Sequence, residues 1–290
     1  VGKDSMSMRT QWDEAGASKS VTAPVSLIVS AFAPVGDARQ TLTPELRRDE
    51  LTTLLLVDLG HGKNRLGGSV LAQTFGKIGS EVPDVSAGDV KALFNAINDL
   101  KASDAVLAYH DRSDGGTLVT LLEMAFAGRC GLNVEIECSP EQAPATLFNE
   151  EVGVILQVAD ARLDEVCGVL ASHGLDSATS VIAKPRLDER IVVNSPTFEL
   201  IDSRRGPLQQ LWAQNSHAIQ RERDNADCAD QEFDQICHED PGLSAQLSFD
   251  IAYDIAAPMI ATGVRPKIAI LREQGVNGQA EMAAAFHRAG

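Results

Sequence analysis

The sequence predicts an α+β fold of layered sheet and helices, and three observations carry that prediction. Thr52 to Leu59 and Val152 to Val158 are nearly continuous apolar runs, the pattern of strands covered on both faces. Segments with apolar residues at helical spacing separate them, as in Leu163, Val166, Cys167 and Leu170. Long crossovers mix with short, hairpin-like returns, which favours a mixed sheet with helices over a purely parallel one.

The elements follow in order. Residues 1–20 are polar, contain Gly2 and Gly16, and read as loop. Pro24 to Val35 reads as a strand, rich in apolar and β-branched residues, and Gly36 to Glu50, with Pro44, as a connector. After the Thr52–Leu59 strand, Gly60, Gly62, Gly67 and Gly68 lead to a helix with Val70, Leu71, Phe75 and Ile78 on one face. Asp89 is placed to cap a second helix carrying Val90, Leu93, Phe94, Ile97 and Leu100. A strand over Val106–Tyr109 and a helix over Thr117–Ala127 come next. Leu132 to Ile136 alternates, which predicts a strand with one exposed face. Ser180–Ala183 and Ile191–Val193 are short strands, and this domain ends near Ser203. Gly206-Pro207 opens a helix whose inner face is Leu208, Leu211, Trp212 and Ile219.

An acidic, irregular tract follows, broken at Pro241-Gly242 and Pro258. Its Leu247, Phe249, Ile251, Ile255 and Met259 make it a linker expected to lie on a neighbouring domain. Lys267–Leu271 then reads as a strand, Gln274–Gly278 as a turn and Gln279 onward as a helix, the way a doubly wound domain begins.

Composition bounds the function. The chain has 290 residues, 44% of them hydrophobic, enough for one large or two ordinary domains. A net charge of −16 argues against nucleic-acid binding, which needs a basic surface. Half of that charge lies between Gly206 and Val264, where ten acidic residues face only Arg221 and Arg223. No apolar run approaches the roughly 20 residues of a membrane helix, so no membrane partner is expected. The five cysteines are scattered and form no Cys-x-x-Cys pair. Cys237-His238 has no second pair at zinc-ligand spacing, and the usage fits a reducing cytoplasm. The chain opens without Met and stops at Gly290 in what reads as mid-helix, so an excised piece of a longer polypeptide is expected.

The richest chemistry is at Asp111-Arg112-Ser113-Asp114-Gly115-Gly116, between the Val106–Tyr109 strand and its helix. Asp111 offers a hard oxygen to a divalent cation and Ser113 a hydroxyl to a phosphate. The helix N-terminus favours anions, and the glycines let backbone approach a ligand. Asp and Ser before a helix are also ordinary caps, and Gly-Gly is an ordinary loop. On local chemistry both readings stand.

Six motifs in series decide the resemblance: Gly2-Lys3-Asp4-Ser5-Met6-Ser7-Met8, His110 to Gly116, Leu147-Phe148-Asn149-Glu150-Glu151, Phe249-Asp250, Ala257-Pro258 and Arg272-Glu273-Gln274-Gly275-Val276-Asn277. In this order they closely resemble the large single-chain formylglycinamide ribonucleotide amidotransferases, or phosphoribosylformylglycinamidine synthases, over essentially the whole chain. The resemblance implies a division. Residues 1–36 end one half of an aminoimidazole-ribonucleotide-synthetase-like unit, and 45–203 form its C-terminal, nucleotide- and metal-binding half. Residues 206–264 are a helix and acidic linker, and 266–290 the start of a class I glutaminase domain.

It implies, too, an ATP- and magnesium-dependent ligase of purine biosynthesis, taking glutamine and formylglycinamide ribonucleotide as substrates. Phosphorylation turns an amide oxygen into a good leaving group, which ammonia displaces, and metal ions neutralise the transferring phosphoryl group. Asp111 matches a magnesium ligand and Ser113 a nucleotide contact. The alternative is a structural module holding ADP and magnesium without turnover. No catalytic residue is assigned here, since the glutaminase Cys, His and Glu would lie beyond Gly290, and the fragment alone is expected to be inactive. Lys3 and Asp4 either reach phosphates or face solvent. His110 is read as structural, and Glu150 and Glu151 as either supporting groups or surface residues.

Overall fold

The computed structural model describes residues 3–5, 8–23, 26–28, 30, 32–239 and 242–289, in two compact units, 1–238 and 239–290. The first is built on a seven-stranded mixed sheet. Its strands are β5 (Thr52–Asp58), β6 (Ala108–Asp111), β7 (Gly131–Glu135), β8 (Gly153–Ala159), β9 (Thr179–Arg186), β10 (Arg190–Ser195) and β11 (Phe198–Arg204), in the order β11-β10-β7-β9-β5-β8-β6. Only the β7–β10 pair is parallel. The predicted α+β class is observed, and the two continuous apolar runs are adjacent central strands, with Leu55 opposite Leu156.

Alternation along β5 and β8 feeds two cores. Leu54 and Ile155 pack with Leu118, Leu121 and Met124 of α3 (Gly116–Gly128) and Leu147 of α4 (Ala143–Phe148). Leu55, Val57, Val154, Leu156 and Val158 pack with Leu93, Ala96 and Leu100 of α2 (Ala87–Ala102) and Val166 and Leu170 of α5 (Leu163–Ser172). A strand buried on both faces is apolar throughout, which is why these two were plain in the sequence.

Several expectations are corrected. The described part of residues 1–20 is mostly strand rather than loop: β1 (Lys3–Ser5) pairs with β4 (Ser26–Ile28), and β2 (Met8–Glu14) forms a hairpin with β3 (Ala17–Ala23). Its turn, Ala15-Gly16, has φ of 51° and 81°, the double positive that matches strand twist in two-residue hairpins. Residues 9–22 are exposed throughout, so no hydrophobic alternation marked the hairpin. The strand expected over Pro24–Val35 is seen as β4 only; Pro24, Val25, Val29 and Ala31 lie outside the described residues, as do Gly2, Met6 and Ser7 of the first motif.

The helix after Gly68 is only α1 (Val70–Thr74); Gly76 and Gly79, both at positive φ, turn the chain back, and Phe75 and Ile78 are exposed. Gly67 N–H donates to Glu81 O and Gly68 N–H to Ile78 O, closing that loop. Ser86, not Asp89, caps α2, its hydroxyl accepting from Asp89 N–H, and Val90 and Phe94 face outward.

Downstream, α6 (Arg205–Arg223) buries Leu208 partly against the sheet, while Leu211, Trp212 and Ile219 are largely exposed. The acidic tract is helical at α7 (Ala226–Gln235), capped by Asn225 and held to α6 by the His217–Phe233 ring stack and by Asp230, which pairs with His217 and Arg221. In the second unit the helices are α8 (Ala257–Ala261) and α9 (Gln279–Arg288). Lys267–Leu271 is not a strand: among the described residues it has no partner strand, and an isolated strand leaves its backbone groups unpaired. Leu247, Phe249, Ile251, Ile255 and Met259 are exposed.

Candidate functional site

Strand ends and one loop assemble the site. β5 ends at Asp58, β6 at Asp111, and β8 is preceded by Asn149-Glu150-Glu151. Because β6 and β8 are hydrogen-bonded neighbours, with Asp111 opposite Val154, the Asp111–Gly116 turn lies beside the Asn149–Glu151 segment. Arg112 joins them. Its backbone N–H donates to Gly153 O (2.8 Å) and its Nε to Glu151 O (2.6 Å), while Nη2 pairs with Asp58 Oδ1.

The Arg112 guanidinium is thus buried, its side chain 1% exposed. Asp58 also accepts from Gly60 N–H (2.9 Å) and Gly62 N–H (2.8 Å). Burial pushes its carboxyl upward, but Arg112's charge and these hydrogen bonds outweigh burial and hold it below the ordinary value. Glu151 is buried too and receives Arg65 through Nε and Nη2, both at 2.7 Å. There burial raises and Arg65 lowers, and the carboxyl again ends below its usual range. Of the alternatives open for Glu150 and Glu151, the structure thus buries Glu151 as a supporting group.

Glu150 is half-buried, and its Oε1 accepts from Gly115 N–H (3.0 Å) and Val70 N–H (2.9 Å). The backbone donor before α3 that the sequence offered to a ligand is satisfied by this carboxylate. The glycines have a local reason as well. Gly115 and Gly116 have φ of 83° and 69°, and a Cβ on Gly116 would lie 2.5 Å from Asn149 O and 2.7 Å from Phe148 C. They let α3 start against the 147–149 backbone.

The predicted site residues lie at the open edge. Asp111 is exposed, and Tyr109 donates to its Oδ1 at 2.6 Å; Oδ2 has no hydrogen-bond partner among the described residues. Burial, then the hydrogen bond to Asp111 and the charge of that carboxylate, push the Tyr109 phenol well above its ordinary range, so it stays a donor. Ser113 is exposed with a free hydroxyl among the described residues, its carbonyl accepting from Gly116 N–H. His110 Nε2 meets Glu123 Oε2 at 3.0 Å, in line with the structural role expected of it, and Glu123 Oε1 accepts from Trp212. Lys3 and Asp4 lie on β1 rather than in a loop.

A cavity of about 680 Å³ opens beside the buried pairs, lined by Asp58, Asn64, Arg112, Thr117, Glu137 and Thr179 among others. Asp111 and Ser113 do not line it. The turn thus presents two faces, a buried one toward the cavity through Arg112 and an open one through Asp111 and Ser113. Among the described residues no three His, Cys, Asp or Glu side chains converge as a complete metal site. A lone carboxylate still fits magnesium, which is often held by one or two carboxylates, phosphate oxygens and water.

Two family matches follow the chain in order. Residues 1–34 match the FGAR-AT PurM_N-like domain, and residues 53–185 the AIR synthase related protein, C-terminal domain. Over these two stretches the chain is similar to domains of a synthetase-like unit. The 53–185 match takes in β5 to β9, including the Asp111–Gly116 turn. Among solved structures the chain is similar to Thermotoga maritima PurL complexed with ATP (14% identity, 58% of this chain, 27% of that one, TM-score 0.46). It is similar also to T. maritima PurL complexed with FGAR (13%, 59% and 30%, TM-score 0.46) and to E. coli HypE (20%, 54% and 49%, TM-score 0.40). The chain spans about a quarter of the length of the first of these. No helix among the described residues is long and apolar enough to cross a membrane.

Proposed function

We propose that this chain is the nucleotide- and magnesium-binding part of an ATP-dependent, glutamine-using ligase that converts formylglycinamide ribonucleotide to formylglycinamidine ribonucleotide in purine biosynthesis. The observation that carries the reading is the pair of matches in series, an FGAR-AT-type PurM_N-like domain followed by an AIR-synthase-related C-terminal domain. The site agrees with it: the Asp111 carboxylate, which no Lys or Arg pairs with among the described residues, stands beside the free Ser113 hydroxyl at one strand end.

In this reading Asp111 is a magnesium ligand and Ser113 contacts the nucleotide, ATP or ADP. Magnesium, when bound, offsets charge on the phosphates. Arg112, Asp58 and Glu151 hold the turn in place, and Glu150 keeps the Gly115 N–H oriented. The family matches favour a synthetase role over a purely structural ADP module. Glutamine supplies the ammonia through a glutaminase domain of the same polypeptide that begins near residue 266, after the linker of 206–264. The place of work is the cytoplasm, in keeping with five free cysteines.

The test is conversion of formylglycinamide ribonucleotide with ATP and ammonium by the polypeptide that carries this chain. Product formation that falls in Asp111→Asn supports the reading. Absence of any ATP-dependent turnover of that substrate overturns it.

A further inference from the structure

We infer that Tyr109 is a positioning residue for cation binding at Asp111, its phenol hydrogen bond holding the carboxylate in one orientation with Oδ2 left to ligate. The inference rests on the reading of Asp111 as a ligand. Tyr109 and Asp111 are two apart on β6, so their side chains share one face of the sheet. The phenol donates to Asp111 Oδ1 at 2.6 Å, the length of a strong bond to an ionised acceptor.

The tyrosine is itself held at both ends. Its backbone N–H donates to Thr43 O at 2.8 Å, and its ring packs against the core shared by β5, β8, α2 and α5. Asp111, by contrast, is exposed, and this bond is its side chain's single hydrogen bond among the described residues. Without it an exposed Asp samples several rotamers, and a cation that takes one or two carboxylates must select one of them. Partners that orient a ligating group commonly matter 10- to 100-fold in metal affinity.

The arrangement differs from the Arg112–Asp58 pair, which neutralises its carboxylate. A phenol adds no positive charge, so Asp111 keeps its full attraction for a cation while losing its freedom to turn.

The experiment titrates Mn²⁺ into the full chain in the presence of ADP, following free Mn²⁺ by electron paramagnetic resonance. Four proteins are compared: the parent, Tyr109→Phe, Asp111→Asn and the double variant, with thermal unfolding measured on each. Phe keeps the packed ring and removes only the donor. Asp111→Asn should lose at least tenfold in affinity, Tyr109→Phe roughly tenfold, and the double variant no more than Asp111→Asn alone. Tyr109→Phe should unfold within a few degrees of the parent. Parent-like affinity in Tyr109→Phe beside a clear loss in Asp111→Asn overturns the positioning role and leaves the ligand reading standing. A double variant that loses the product of the two single effects also overturns it, since the tyrosine then acts apart from Asp111. Unchanged affinity in Asp111→Asn overturns the ligand reading itself.

Discussion

Replacing Arg112 by Met removes a guanidinium from the buried side of the turn while keeping an unbranched apolar stem. Four partners lose their donor: the Asp58 carboxylate, Glu151 O and, more weakly, Thr117 Oγ1 and Val152 O. Removing one member of a buried ion pair costs about 3–5 kcal/mol, because the other charge stays behind in a poor solvent. Asp58 is not stranded altogether, since its side chain is 16% exposed and two backbone N–H groups still reach it. That places the expected loss near the low end, about 3 kcal/mol.

The assay is urea unfolding followed by circular dichroism, parent against variant, at neutral pH and again at about pH 2.5, below the ordinary carboxylate value. Asp58's carboxyl is held below its ordinary value in the fold, so the folded state binds fewer protons there than the unfolded chain. Its stabilisation is complete above about pH 4 and is lost as pH falls through the lower folded value. The gap between parent and variant should therefore narrow on acidification. A loss below about 1 kcal/mol, the range of a surface pair, or a gap that widens in acid, refutes the view that Arg112 and Asp58 anchor the turn.

Two further outcomes follow from packing. Gly116→Ala forces a side chain at positive φ against the 147–149 backbone and should cost about 3 kcal/mol. Gly168→Ala, inside α5 with open space around its Cβ, should instead stabilise by up to about 1 kcal/mol; equal effects in denaturant melts would contradict both. Amide hydrogen exchange should find residues 267–271 unprotected beside β8, because no strand pairs with them among the described residues. Protection there matching β8 would show a sheet that this fold lacks.

How far the sequence could be read depended on whether its signal was local. β5 and β8 announced themselves because burial on both faces makes every position apolar. The β2–β3 hairpin gave no such pattern, since neither of its faces is buried, and β11, an edge strand of mostly half-exposed residues, was missed for the same reason. The apolar spacing at Val70–Ile78 was genuine but led nowhere, because Gly76 and Gly79 turn the chain before a second helical turn can bury it.

At the site, Asp111 and Ser113 stood out as polar residues that end a strand. The pairs Arg112–Asp58 and Arg65–Glu151 did not, because their members are 54 and 86 positions apart and meet only through strand register and loop closure. Asp58 left one trace, a lone carboxylate closing an apolar run. Gly115 and Gly116 were noticed for the approach of a ligand, whereas the structure gives them a packing role that sequence spacing does not show.

On the proposed reading Asp111, at the end of β6, holds the cation of a bound nucleotide. Calorimetric titration of Mg²⁺·ADP into the full chain, parent against Asp111→Asn, tests it most directly. Saturable binding by the parent and at least roughly tenfold weaker binding by the variant are expected, with unfolding unchanged because Asp111 is exposed. Equal affinity in the two proteins would contradict it.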